Sequence, residues 1–209
     1  MHYICFLSIG LPVNFPLLET ELGGFVQSQN TQDSYGWVSI GIHWLMALLM
    51  FAMFGLGLYM VDLTYVDEWY RAAPTLHIGA GILLFLLLFI RLFWRLTNPA
   101  PKIYGQTFEK VIGLMVHRLH YVLMFALMLS GYLIITADGR AVQVFTWFEM
   151  PALFPAEKGR EELAGSIHEY FAWGFIGFVG LHAAAALKHH WIDKDRTLLR
   201  MLGIKGKQQ

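Results

Sequence analysis

Nine histidines are the residues of this chain best suited to chemistry, and several lie inside long apolar stretches. An imidazole is costly to bury in a lipid-like environment unless it meets a hydrogen-bond acceptor or a metal. The single cysteine, Cys5, excludes an internal disulfide framework and any multi-cysteine zinc or iron–sulfur site. Histidine ligation of a metal centre is therefore the chemistry that the sequence predicts.

The apolar stretches are long enough to cross a membrane. The chain is 56% hydrophobic and only 14% charged, which favours a membrane protein over a soluble one. A bilayer core of about 30 Å needs roughly 20 apolar residues in a helix. We predict four helices, over about residues 37–61, 75–95, 109–137 and 162–191. The expected fold class is all-α, an integral membrane four-helix bundle surrounded by lipid, with no nucleic-acid partner.

Lysine and arginine concentrate in two parts of the chain that a four-helix topology places on one side. Loops rich in these residues stay in the cytoplasm. Both termini are therefore predicted to be cytoplasmic. The basic residues concerned are Arg91, Arg95, Lys102 and Lys110 between helices two and three, and Lys188, Lys194, Arg196, Arg200, Lys205 and Lys207 after helix four.

The flanking segments show no clear element. Residues 1–34 contain an apolar stretch that Pro12 and Pro16 interrupt, and they lack the basic leading segment of a secretory signal. We interpret them as a mobile N-terminal extension with no evident role. Residues 35–201 form the predicted transmembrane domain, and residues 202–209 a basic cytoplasmic tail.

Four histidines form two pairs when their depths are compared. In this orientation His43 lies near the cytoplasmic start of helix one, and His77 lies in the first turn of helix two, near the outer face. On helix four, His168 and His182 are about 21 Å apart along the axis and within roughly 40° of the same direction. A haem iron takes two axial ligands from opposite sides of its ring. The sequence thus predicts two haems, one held by His43 with His182 and one by His77 with His168.

Two histidines of helix three compete for the cytoplasmic site. His117 and His120 are three residues apart and share nearly one helix face. We expect them to bond a haem propionate or a neighbouring carbonyl rather than the iron. Replacement of a proposed ligand by either of them stays open.

A further group lies where helix four meets cytoplasmic water. His189, His190 and Lys188 adjoin Trp191. They are either an ordinary interfacial anchor or a quinone site, since a quinone needs a hydrogen-bond donor and a proton source. His189 is the preferred candidate.

The segments around these histidines resemble the prokaryotic cytochrome b561 family. The resemblance covers about residues 35–201 and rests on Ile42-His43-Trp44, on Leu76-His77-Ile78-Gly79 and on the pair His117 and His120. Its most specific part runs from Gly180 to His190 and continues from Asp195 to Met201.

This resemblance implies two b-type haems ligated by histidines of helices one, two and four, in a bacterial inner membrane. It implies an oxidoreductase or pure electron-transfer protein that connects a periplasmic donor with the quinone pool, and one member type passes electrons from superoxide to ubiquinone. The resemblance does not fix the donor, for which superoxide and a secreted redox protein are the candidates. Arg71, Lys158 and Arg160 are the cations available to attract superoxide, although acidic residues outnumber them in the third loop.

Two other functions remain as alternatives. A cytochrome b anchor subunit would relay electrons for a larger dehydrogenase or hydrogenase complex. A haem-free, histidine-lined ion transporter would normally pair its histidines with intramembrane carboxylates. Apart from the first residues of helices three and four, the predicted spans offer only Glu169, near the outer end of helix four.

Overall fold

Four long helices dominate the computed structural model, which describes residues 27–204. They are α1 (Trp37–Val61), α2 (Ala72–Thr97), α3 (Thr107–Ile135) and α4 (Arg160–Trp191). Each is long and apolar enough to cross a membrane, and the predicted fold class is confirmed. The smaller elements are strands β1 (Val142–Val144) and β2 (Phe148–Met150), an antiparallel hairpin, and a short helix α5 (Thr197–Met201).

Local sequence explains where α2 and α3 begin. Helix α2 starts three residues before its predicted first residue, and Pro74 fits there because amide protons of a first turn have no intrahelical partner. Helix α3 begins with a capping box, in which the Glu109 carboxylate accepts the Gln106 N–H at 2.9 Å. Gly105 precedes the box with φ +95, and a Cβ there would lie 2.6 Å from Glu109 Oε2.

The outward faces of the helices are apolar. Leu48, Phe93 and Leu181 are 67%, 68% and 66% exposed. Contiguous apolar surface of this extent is unfavourable in water but well solvated by lipid chains. The buried core is small by comparison and comprises Met46, Met50, Leu84, Leu88, Met124, Leu127 and Phe175.

One end of the bundle, here called the tail end, joins residues 27–36, the α2–α3 loop and α5. Asn30 accepts hydrogen bonds from Ser39 Oγ (2.7 Å) and the Gly36 N–H (2.9 Å), and it donates to the Pro99 carbonyl (3.0 Å). The Gln32 carbonyl accepts from the Lys102 N–H at 2.8 Å. Residues 27–34 of the predicted extension thus contact the helical domain, whereas residues 1–26 and 205–209 lie outside the described part.

Arg200 is the centre of the tail end. Its side chain is buried and donates two 2.9 Å hydrogen bonds to the Lys102 carbonyl. Its guanidinium lies over the rings of Tyr104 (4.6 Å) and Tyr35 (5.7 Å). Stacking of this kind favours arginine over lysine, so one side chain links three segments distant in sequence.

The opposite end, here called the hairpin end, is covered by β1, β2 and their flanks. The Phe145 ring lies directly against Gly79 of α2, where any Cβ would meet ring atoms at 2.5–2.9 Å. Tyr132 of α3 donates to the Pro151 carbonyl (2.7 Å) and accepts the Leu153 N–H (2.8 Å). The long third loop is therefore fixed to the bundle by specific contacts.

Candidate functional site

Two pairs of imidazoles face each other inside the bundle. The His77 and His168 ring centroids, from α2 and α4, are 6.2 Å apart near the hairpin end. The His43 and His182 centroids, from α1 and α4, are 6.3 Å apart nearer the tail end. The structure thus brings together the residues that the sequence paired by depth.

The ring separations fit a metal between each pair. A metal–imidazole nitrogen bond is about 2 Å, and the ring centre lies about 1 Å beyond that nitrogen. Two imidazoles on opposite sides of one metal therefore have centroids roughly 6 Å apart. Both observed separations agree with this value, so the residues present would fit a haem iron held between each pair.

His168 of the hairpin-end pair has the hydrogen bonding of a metal-binding histidine. His168 Nδ1 donates to the Leu127 carbonyl of α3 at 2.9 Å, and Ser130 Oγ lies 3.2 Å from the same nitrogen. This leaves the lone pair of His168 on Nε2, as in histidines that bind metals. His77 Nδ1 is buried and has no hydrogen-bond partner within residues 27–204. A bound metal ion or a new hydrogen-bond acceptor would satisfy such a group.

Two glycines lie close to these rings, and neither position has room for a side chain without moving the ring. A Cβ added to Gly57 of α1 would lie 3.2 Å from His77 Cε1. A Cβ added to Gly131 of α3 would lie 3.1 Å from His168 Cε1. Only the three-dimensional structure relates these two to the histidines.

Four histidines gather at the tail-end site. The His182 ring lies 5.3 Å from His120, 5.4 Å from His117 and 6.3 Å from His43. His120 Nδ1 donates to the Val116 carbonyl (2.8 Å), and its buried Nε2 has no partner in the described part of the chain. By hydrogen bonding alone, His120 is better prepared for a metal than His43, whose Nδ1 accepts from Arg91.

Arg91 also belongs to this site. From its place near the end of α2 the sequence predicts that its side chain extends toward water. Instead its guanidinium turns inward and donates to His43 Nδ1 (2.9 Å) and to Tyr121 OH (3.1 Å). Arg95, one turn later, remains exposed and stacks on the Tyr121 ring at 5.4 Å. The sequence did not predict that Arg91 turns inward. Its position inside an apolar span was the available signal.

Apolar side chains separate the two histidine groups. Phe175 lies midway between His168 and His182 along α4 and is 4% exposed. It belongs to the buried cluster with Met46, Met50 and the leucines of α2 and α3. Such packing leaves little room for water between the sites.

At the tail end, His189 is part of a charged network. Its Nδ1 lies 2.7 Å from Asp195 Oδ2 and 3.1 Å from Asp193 Oδ2. Lys188 bridges Asp193 (2.8 Å) and Glu109 of α3 (2.5 Å). Burial raises the pKa of Asp195, but hydrogen bonds from Thr197 and His189 outweigh it, and the pKa lies below its usual value. The carboxylate therefore stays charged beside His189.

His190 has different surroundings from its neighbour. Its ring lies 6.3 Å from the Trp191 ring, an arrangement typical of an interfacial anchor. His189 rather than His190 is thus connected to acidic groups, of which Asp193 is exposed to water.

The cations of the hairpin end are partly neutralised. Arg160 contacts Glu157 at 3.1 Å and bonds to the Pro155 carbonyl, and Arg140 forms an ion pair with Asp138 at 2.5 Å. Arg71 and Lys158 are exposed. Attraction of an anion to this end would depend mainly on these last two side chains.

Comparisons with known proteins identify the family of the chain. The family model of prokaryotic cytochrome b561 matches residues 34–203. The chain is 44% identical over 176 residues to cytochrome b561 homolog 2 of Escherichia coli, covering 83% of this chain and 94% of that protein. It is 32% identical over 178 residues to a probable superoxide oxidase, CybB, of Yersinia pestis, covering 82% and 97%. Cytochrome b561 homolog 1 of E. coli is 32% identical over 130 residues, covering 60% and 72%. The chain therefore belongs to the prokaryotic cytochrome b561 family, which implies b-type haem and supports membrane electron transfer as its general function.

Proposed function

We propose that this protein is a diheme b-type cytochrome that carries electrons across a bacterial inner membrane, from a periplasmic donor to quinone. The observation that carries the proposal is the pair of stacked histidine sites, each with ring centroids 6.2–6.3 Å apart. About 21 Å of α4 separates them, so together they extend through most of a bilayer core.

Each proposed site has its own ligand set. His77 and His168 would hold the haem at the hairpin end, and His43 and His182 the haem at the tail end. When bound, haem iron supplies reversible one-electron oxidation and reduction. The Leu127 carbonyl fixes the His168 tautomer, and the buried cluster around Phe175 excludes water between the sites. The protein's contribution is position and electrostatic environment.

Quinone reduction is proposed at the tail end, beside His189. Reducing a quinone to quinol consumes two electrons, one from each of two superoxide anions, and two protons taken up from water. His189 can donate a hydrogen bond to the quinone and pass on these protons one at a time. Asp195, 2.7 Å from His189 Nδ1, orients the ring. Lys188 holds the network together by joining α4 to Glu109 of α3.

Superoxide is the proposed donor because a relative that aligns along almost its whole length carries the name superoxide oxidase. Oxidation of superoxide releases one electron and dioxygen, so it needs no proton at the hairpin end. Both termini are proposed to lie in the cytoplasm, with the hairpin end in the periplasm, since the basic residues concentrate at the tail end.

Stopped-flow spectroscopy tests donor and acceptor separately. Superoxide mixed with the oxidised protein should reduce the haem within milliseconds, and ubiquinone-1 should reoxidise it. An absence of haem reduction by superoxide would eliminate that donor and favour a docked redox protein. For the acceptor, His189→Ala should slow reoxidation while His190→Ala, the adjacent control, should not. Equal effects of both substitutions would contradict the quinone site.

A further inference from the structure

Arg91 is a cation inside the bundle without an opposing charge. Its neighbours are neutral: the imidazole of His43, the hydroxyl of Tyr121 and, at 3.7 Å, the thioether of Met46. Within residues 27–204 no carboxylate lies within 4 Å of its guanidinium. Arg91 is half-buried, and a charge partly removed from water is unfavourable unless it is paired. An anion bound beside the Arg91 guanidinium would therefore be stabilising.

The hydrogen bond to His43 gives a second argument. A guanidinium only donates, so His43 Nδ1 accepts and the ring proton lies on Nε2. A histidine that binds a metal through Nε2 carries its proton on Nδ1 and donates it. Two donors repel each other. Binding of a metal by His43 through Nε2 thus requires the Arg91 guanidinium to turn to another acceptor.

From these contacts we propose that Arg91 is the binding residue for a carboxylate that enters with the cofactor, a propionate of the tail-end haem. This inference rests on the proposed diheme function. Tyr121 accepts from Nε and so orients the guanidinium plane. Nη1 and Nη2 now contact only a thioether and an imidazole. These two nitrogens form the fork that matches a carboxylate with two parallel hydrogen bonds.

The pairing has a consequence for the reduction potential. A positive charge near haem favours the reduced state, which carries one more electron, and pairing also neutralises a propionate that would oppose reduction. Loss of the Arg91 charge should therefore lower the equilibrium constant for reduction of the tail-end haem by about tenfold, or about 59 mV for one electron.

Spectropotentiometric titration of the purified full chain tests this effect. We expect Arg91→Gln to lower the midpoint of the haem whose signal is missing in His182→Ala but not in His77→Ala, and to leave the other midpoint unchanged. Arg91→Lys should retain most of the wild-type potential. Arg95→Gln is the matched control, because it removes an equal charge from the exposed position one turn later. Equal shifts in Arg91→Gln and Arg95→Gln, or no shift in either, would overturn the proposal.

A second measurement isolates the carboxylate. The full chain, stripped of cofactor, is reconstituted with haem and with haem dimethyl ester, whose propionates are blocked. Arg91→Gln should weaken binding of haem at the tail-end site about tenfold, with no further loss for the ester. Equal weakening for haem and ester would refute the carboxylate contact. A wild-type protein without haem would refute the diheme function itself, whereas two haems with wild-type-like Arg91→Gln would refute only this inference.

Discussion

Replacing Gly57 by alanine should loosen the hairpin-end site, and Gly55 provides a control two residues away on α1. A Cβ at Gly57 would lie 3.2 Å from His77 Cε1, closer than the 3.4 Å of ordinary contact, whereas a Cβ at Gly55 meets nothing within 4 Å. The imidazole must therefore turn by a small amount in Gly57→Ala. Turning a side chain out of its preferred rotamer costs about 0.5–1.5 kcal/mol.

This strain should appear as faster loss of one haem. The free energy corresponds to roughly a two- to tenfold change in an equilibrium or rate constant. Both variants gain about 1 kcal/mol of helix propensity, so their difference isolates the contact with His77. The assay follows transfer of haem from detergent-solubilised protein to an excess of apomyoglobin. Gly57→Ala should lose the hairpin-end haem faster than Gly55→Ala does. The rate of loss of the tail-end haem should be the same in both variants.

The same comparison can be made from the other side of the site. A Cβ at Gly131 would meet His168 Cε1 at 3.1 Å, whereas Gly113, also on α3, has nothing within 4 Å. Identical haem-loss rates in Gly57→Ala and Gly55→Ala, and again in Gly131→Ala and Gly113→Ala, would refute the idea that close backbone approach holds the two rings.

Three further predictions concern the ends of the bundle. Asn30→Ala removes three hydrogen bonds of the tail end and should lower the free energy of unfolding by about 1–3 kcal/mol, measured as the thermal midpoint in detergent, while Asp33→Ala should not. Gly79→Ala should displace the Phe145 ring and increase proteolysis of the third loop, and adding Phe145→Ala should relieve the clash; an unchanged cleavage rate in Gly79→Ala would contradict this packing. Asp195→Asn should slow quinone reduction about tenfold by removing the charge beside His189, without altering haem content; a wild-type rate would exclude a role for that carboxylate.

The four helices were predictable because their apolar runs have a length that only membrane spans need. The proximity of His43 to His182 and of His77 to His168 was predictable from the topology together with helical rise and angle, since α4 carries one histidine at each depth on nearly one face. The hairpin of β1 and β2 and the short helix α5 were not predicted, because elements of three to five residues give no readable periodicity.

Side-chain direction was the part that sequence could not supply. A charged residue near a helix end extends either toward water or into the bundle, and helical spacing does not distinguish these outcomes for Arg91. Asn30 bonds to Pro99, 69 positions away in the sequence, and Arg200 bonds to Lys102, 98 positions away. Such pairs depend on how loops cross, which local patterns do not encode.

The central claim is that two histidine pairs hold two haems, and haem quantification tests it most directly. Pyridine-haemochrome analysis with a reduced-minus-oxidised spectrum should give two b-type haems per wild-type chain. His77→Ala and His182→Ala should each retain one haem, with different residual spectra. A wild-type protein without Soret and alpha bands, or either variant retaining both haems, would contradict the account.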